Sequence, residues 1–188
     1  SKNIVMSEGS RYYEYGRLSF RTNLGVLIHE FDSVKRSYYK INFGNDNRML
    51  ASIEHKQDIV RIWDANAGKL LAAYEGLHKD EITDVKLLHD NQWFMTSSED
   101  GTAKLWSVKT GKLLKTFDLT TYFFQEKDLE VLGISISSNE SSVSLNFRDN
   151  GDDEIREFGV VTYDIATGNP VHYFSKDIFV SFCTALSP

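Results

Sequence analysis

One hairpin pattern occurs four times in this chain, and it constrains the fold more than any other feature of the sequence. Each copy has an alternating strand that ends in an aromatic residue, a polar turn that contains glycine, and a second apolar strand. The copies are RLSFRTNLGVLIHEF (17–31), VRIWDANAGKLLAAY (60–74), AKLWSVKTGKLLKTF (103–117) and VVTYDIATGNPVHYF (160–174). Their first aromatics are spaced 43, 43 and 57 residues apart: Phe20, Trp63, Trp106 and Tyr163. A period of about 40–45 residues with several short strands per repeat is typical of a β-propeller.

Residues 76–117 form the most complete copy of the repeat. This segment contains four short apolar or alternating runs, EITDVKLL, WFMTSS, TAKLW and KLLKTF, with an Asp-Gly turn between the second and the third. Such runs predict four antiparallel strands, which is one propeller blade. The predicted fold class is therefore all-β, a β-propeller of four-stranded antiparallel blades. We place the blades at about 1–32, 37–75, 76–117 and 129–175, and the first strand of a further blade at 178–187.

These residues resemble the WD-repeat family, whose blade runs from a Gly-His pair to a Trp-Asp ending. The blade endings match to different degrees: in full at Trp63-Asp64, in the tryptophan at Trp106-Ser107, in the aspartate at Tyr163-Asp164, and in the aromatic character alone at Phe20-Arg21. The resemblance covers nearly the whole chain. Because rings in this family usually have about seven blades, we expect part of a larger ring, with the remaining blades outside this sequence or on another chain. A closed four-bladed ring is the rarer alternative.

The resemblance also implies a hydrogen-bonded network inside the third blade. The family's positions fall on His78, Asp100, Trp106 and either Thr96 or Ser98. Buried polar groups of this kind must satisfy one another. A His–Asp–hydroxyl set could be mistaken for a catalytic triad, but a hydroxyl that is used within the blade is not available as a nucleophile.

Charge and cysteine usage limit the classes of partner and compartment. The net charge is −6, with acidic and basic residues mixed along most of the chain, so we expect neither direct nucleic-acid binding nor a membrane surface. The single cysteine, Cys183, lies in an apolar run and is expected to be a buried thiol. No apolar run approaches the roughly 20 residues of a membrane helix, and no signal peptide is visible. The predicted location is intracellular, either cytoplasmic or nuclear.

Motifs for catalysis, cofactors and metals are missing from the sequence. The five histidines are scattered without ligand spacing, and no phosphate-binding loop, nucleophile elbow or reactive-cysteine signature occurs. We therefore predict no enzymatic activity, no cofactor and no metal.

Two sets of residues are candidates for binding a protein partner. By family resemblance, Glu81, Thr83 and Glu99 lie on the rim of the third blade. The acidic insertion in the fourth blade, Asp152, Asp153 and Glu154, is a candidate contact for a basic partner, although a solvated turn is the simpler interpretation.

The predicted function is a non-catalytic protein–protein interaction scaffold, a WD-repeat propeller subunit or domain of a multi-protein assembly. One alternative is a sensor or regulatory propeller domain of a large signalling NTPase. The other is a quinoprotein-like propeller enzyme, which would need a central cofactor cage. Fold alone does not choose among these functions.

Overall fold

The computed structural model describes residues 3–8, 17–22, 24, 26–31, 38–54, 58–122, 128–149 and 158–176. The predicted strand at 178–187, Cys183 and the acidic insertion (Asp152, Asp153 and Glu154) lie outside these ranges. The chain divides into two compact units, Ser1–Leu77 and His78–Pro188.

The first unit contains two antiparallel sheets. A three-stranded sheet has the order β1-β2-β3, and a four-stranded sheet has the order β4-β5-β6-β7. The strands are β1 Asn3–Glu8, β2 Arg17–Thr22, β3 Leu27–Glu30, β4 Tyr38–Phe43, β5 Met49–Glu54, β6 Ile59–Asp64 and β7 Lys69–Tyr74. A cluster of buried side chains, Leu18, Phe31, Leu50, Trp63 and Ala65, joins the two sheets. Within it, the rings of Phe31 and Trp63 meet edge to face at 5.8 Å.

The second unit contains two four-stranded antiparallel sheets, with orders β8-β9-β10-β11 and β12-β13-β14-β15. The strands of the third sheet are β8 Ile82–Leu88, β9 Trp93–Ser98, β10 Thr102–Ser107 and β11 Leu113–Asp118. The short helix α1, Leu119–Tyr122, follows β11. The strands of the fourth sheet are β12 Leu129–Ile136, β13 Ser142–Asp149, β14 Phe158–Asp164 and β15 Pro170–Lys176. Three four-stranded antiparallel sheets confirm the predicted all-β class.

Glycine shapes the turn between the last two strands of each four-stranded sheet, together with an aspartate in the second and fourth sheets and Ser107 in the third. Gly68, Gly111 and Gly168 all have positive φ, between 64° and 80°, a conformation that other residues adopt only with strain. In the fourth sheet, Asp164 Oδ1 accepts hydrogen bonds from the backbone N–H and the hydroxyl of Thr167. These turns join neighbouring antiparallel strands, which explains why the polar turn with glycine recurs in the sequence.

The third and fourth sheets pack face to face through one apolar core. Alternate residues of β13 and β14 point toward the third sheet, because side chains alternate along a strand; these are Val143, Leu145, Phe147, Val161 and Tyr163. They meet side chains of the third sheet, including Met95, Leu105 and Phe117. The rings of Phe117 and Tyr163 meet edge to face at 5.5 Å. The second unit therefore has a hydrophobic core of its own.

Candidate partner-binding rim and its supporting network

A chain of hydrogen bonds crosses the third sheet from an indole to a carboxylate. Trp106 Nε1 donates to Thr96 Oγ1 at 2.9 Å, and His78 Nε2 lies 2.7 Å from the same oxygen. His78 Nδ1 lies 2.9 Å from Asp100 Oδ2. Because the carboxylate is an acceptor, it assigns the proton to Nδ1, so that Nε2 accepts from the Thr96 hydroxyl. The His78 side chain is fully buried, and every polar atom of this chain of groups has a partner.

Asp100 is the anchor of this network. Its Oδ2 also accepts the backbone N–H of Lys79 at 3.1 Å, and its Oδ1 accepts the hydroxyl of Thr102 at 2.6 Å and the Thr102 N–H at 3.1 Å. Burial opposes the charged form, but the hydrogen bonds from His78 and Thr102 outweigh it and hold the pKa of the Asp100 carboxyl below its ordinary value. The carboxylate therefore stays ionised and is fully occupied by its donors.

Ser98 lies beside this network and has a different role from Thr96. Its hydroxyl donates to the backbone carbonyl of Asp80 at 3.0 Å and accepts the N–H of Asp100 at 3.0 Å. The sequence left open which hydroxyl joins the histidine to the tryptophan, and in the structure Thr96 does so. Ser98 braces the turn that carries Asp100.

The two other four-stranded sheets contain reduced versions of this arrangement. In the second sheet Trp63 Nε1 donates to Ser52 Oγ at 2.9 Å, and a buried ion pair between Arg61 and Glu54 joins the same two strands. In the fourth sheet Tyr163 takes the place of the tryptophan. Its hydroxyl donates to the Asp118 carbonyl at 3.2 Å, and Leu145 stands where the partner hydroxyl is in the other sheets. A tyrosine makes no indole hydrogen bond, so an apolar residue is tolerated there.

Glu81 and Glu99 lie together at the end of the third sheet where β8 begins. Glu81 is exposed, and its backbone carbonyl accepts the N–H of Glu99 at 3.0 Å. Burial, followed by the carboxylates of Glu130 and Glu81, raises the pKa of the Glu99 carboxyl, although Arg148 opposes the effect. Glu130 and Arg148 form an ion pair between β12 and β13 of the fourth sheet. We call this group of Glu81, Glu99, Glu130 and Arg148 the rim cluster.

The hydroxyl of Thr83, the third predicted rim residue, is engaged in hydrogen bonds inside this unit. Its hydroxyl donates to the backbone carbonyl of Val131 in the fourth sheet at 2.6 Å and lies 2.8 Å from the Ser97 hydroxyl. Thr83 sits at a bulge, where the register with β9 shifts between Ile82 and Asp84, and bulges re-aim side chains. The Thr83 hydroxyl is thus engaged between the sheets of this unit.

Sequence reasoning missed Glu130 and Arg148. The sequence does contain a sign of this ion pair, because Glu130 interrupts the apolar run LEVLGISI with a charge. A charge in a buried strand requires a partner. The identity of that partner depends on the register between β12 and β13, which the sequence does not reveal.

Among the described residues, no group of three or more His, Cys, Asp or Glu side chains could hold a metal ion. The one helix in the described part of the chain is too short to span a bilayer.

The repeat is also recognised by comparison with known families. A family model for the WD domain, G-beta repeat, matches residues 68–107. Residues 68–107 are thus a WD repeat. The chain is 34% identical, over 116 residues, to Target of rapamycin complex subunit LST8 of Saccharomyces cerevisiae, and the match covers 61% of the chain and 36% of that protein. It is 31% identical to Eukaryotic translation initiation factor 3 subunit I of Neurospora crassa, covering 54% of the chain and 30% of that protein.

The chain spans about a third of the length of these curated relatives. Among solved structures, Kuenenia stuttgartiensis Hydrazine Synthase is similar with a TM-score of 0.68 at 13% identity, over 86% of this chain and 43% of that one. A likeness at this identity concerns the fold alone. Together with the WD repeat, it confirms the predicted propeller class.

Proposed function

We propose that this WD-repeat chain is a non-catalytic scaffold that binds other proteins within a multi-protein assembly, in the cytoplasm or the nucleus. The relatives named above are subunits of a Target of rapamycin complex and of a translation initiation factor. A rigid sheet scaffold that carries binding residues on its turns suits such a role.

The observation that carries the proposal is the rim cluster. Exposed Glu81 and half-buried Glu99 of the third sheet interact electrostatically with the buried Glu130 and its partner Arg148 in the fourth sheet, so that three carboxylates face one guanidinium. Such a cluster favours a partner that presents Lys or Arg, and it repels nucleic-acid phosphates and anionic lipids. The acidic insertion, with Asp152, Asp153 and Glu154, would extend the same preference.

The state of the histidine network argues for a structural role and against a catalytic one. A nucleophile needs a hydroxyl that can reach a substrate, whereas Thr96 is completely buried and bonded to both Trp106 and His78. Asp100 is likewise occupied by hydrogen bonds from within the sheet. The residues that most resemble a triad are therefore used to hold the blade together.

The test neutralises the rim and compares the proteins that copurify with the chain. We expect Glu81→Gln/Glu99→Gln to lose at least one copurifying protein by several-fold, because charge pairs at an interface would be lost. Asp90→Asn is the control, since Asp90 is an exposed carboxylate just beyond the opposite end of β8, and losses are compared per charge removed. The measurement is affinity capture of the tagged full chain from its source cells, with quantitative mass spectrometry.

Retention of every partner by the rim variant would contradict the rim proposal. A visible absorption band from a bound redox cofactor in the purified protein would instead support the quinoprotein-like alternative.

A further inference from the structure

Three charged side chains tie the third and fourth sheets together through backbone atoms. They are Asp84, Lys115 and Glu140, and each bonds to the backbone of the sheet opposite its own. The apolar core holds the two sheets together without fixing their relative orientation, because hydrophobic burial is non-directional. Hydrogen bonds between charged groups and backbone atoms are short and directional, so these ties can define how one sheet sits on the other.

The Asp84 tie lies between the first strands of the two sheets. Asp84 Oδ2 accepts the backbone N–H of Ile134 in β12 at 3.2 Å, while its Oδ1 accepts the N–H of Val85 at 2.9 Å. Lys86 Nζ lies 3.6 Å from the same carboxylate. The residue is only 6% exposed, so its carboxylate is held from three sides and cannot easily change partner.

The other two ties lie at different places on the sheets. Glu140, in the turn between β12 and β13, accepts the backbone N–H of His89 at 2.6 Å. Lys115, on the outer strand β11, donates to the carbonyl of Ile165 at 2.8 Å and also to that of Ala166. The side chain of Lys115 passes over Gly168, where a Cβ would come within 3.2 Å of the lysine Cδ. The ties thus involve both edge strands of the third sheet and one end of it.

We propose that Lys115 and Glu140, together with the buried Asp84, are positioning residues that fix the two sheets relative to each other and thereby assemble the rim cluster. The inference rests on the proposed function, because the rim has Glu81 and Glu99 on one sheet and Glu130 and Arg148 on the other. Contacts at both edges and at one end of a sheet suffice to stop it from sliding and rotating. Loosening them separates the two halves of the rim.

The test measures the rim geometry without a partner. Glu99 reports on it, because its carboxyl feels burial and the charges of Glu130, Glu81, Asp80 and Arg148. In the full chain, we expect Glu140→Ala and Lys115→Met each to lower the pKa of Glu99 toward its ordinary value, as followed by carboxyl-carbon NMR titration. Amide hydrogen exchange at His89 is expected to become about tenfold faster in Glu140→Ala, because a charge-assisted bond is lost.

Matched variants separate positioning from simple loss of charge. Asp90→Asn removes one negative charge next to His89, and Lys112→Met removes one positive charge from the residue that precedes the strand of Lys115. Both should leave the titration of Glu99 unchanged. Glu140→Gln keeps an oxygen acceptor and is expected to restore most of the wild-type behaviour.

The proposal is overturned if Glu99 titrates as in the wild type in both Glu140→Ala and Lys115→Met, whatever happens to His89 exchange. That outcome would make the ties local caps with no effect on the rim. A chain that passes this test but keeps all its partners after rim neutralisation would overturn the proposed function alone.

Discussion

At the scale of the residue, Asp100 shows how one carboxylate can organise a blade. Donors from three directions hold it, namely the imidazole of His78, the hydroxyl of Thr102 and the backbone of Lys79. The lowered pKa of Asp100 is the electrostatic consequence of these bonds. The direction of this pKa shift links the network to stability. A carboxyl that is more acidic in the folded chain than in the unfolded chain stabilises the folded chain at pH values above its unfolded pKa, and this contribution is lost as pH falls.

Asp100→Asn is therefore expected to flatten the acid limb of the stability curve. The free energy of unfolding of the wild type should fall as pH drops below the ordinary aspartate value of 3.8, and that of Asp100→Asn should fall less. At neutral pH the variant should be less stable by about 2 kcal/mol, the usual value of a hydrogen bond to a charged group. Urea denaturation at a series of pH values measures both effects. Parallel curves for wild type and Asp100→Asn, with Asp90→Asn as the surface control, would contradict the assignment.

At the scale of the element, the strands and turns follow from local sequence. Alternation, glycine at positive φ and a turn residue with a side-chain oxygen, Asp64, Ser107 or Asp164, recur in the four-stranded sheets, and each has a local physical cause. The network could be placed to within one choice of hydroxyl, because His78, Asp100 and Trp106 keep the family's spacing. The positions of the other site residues could not be predicted, because they depend on β-bulges. The shifts after Ile82 and after Val131 redirect Thr83 and set the pairing of Glu130 with Arg148, and such shifts depend on long-range packing.

Gly159 illustrates a constraint that acts within one sheet. The ring of Phe147 on β13 occupies the space above Gly159 on β14, and a Cβ there would overlap the ring and lie 2.7 Å from the Phe174 carbonyl. We expect Gly159→Ala to destabilise the chain by about 1–3 kcal/mol, as overpacking does. Gly133→Ala is the matched control, because its Cβ would meet its nearest neighbour, Asp84 Oδ2, at an ordinary 3.6 Å. Thermal unfolding measures the difference, and equal losses from the two substitutions would contradict the steric explanation. Phe147→Leu should recover part of the loss in the Gly159→Ala background.

At the scale of the whole molecule, charge determines how a partner is approached. The net charge of −6 creates a general attraction for cations, and the rim cluster adds a local one. The two contributions can be separated, because every exposed carboxylate contributes about equally to the long-range field that attracts a cation, whereas a binding site depends on particular carboxylates. Screening is the appropriate probe, since the Debye length falls from about 30 Å at 0.01 M salt to about 10 Å at 0.1 M.

We therefore expect a synthetic peptide rich in Lys and Arg to associate with the full chain at a rate that falls steeply with ionic strength, as in electrostatically steered binding. Glu81→Gln/Glu99→Gln should lower the rate at low salt and flatten its salt dependence. Asp90→Asn should do neither to a comparable extent, and a peptide with Glu and Asp in place of the basic residues should not bind. Stopped-flow fluorescence over a salt series measures the rates. If the rim and control variants lose the same rate per charge removed, the attraction comes from net charge alone, and the rim cluster is not where the partner docks.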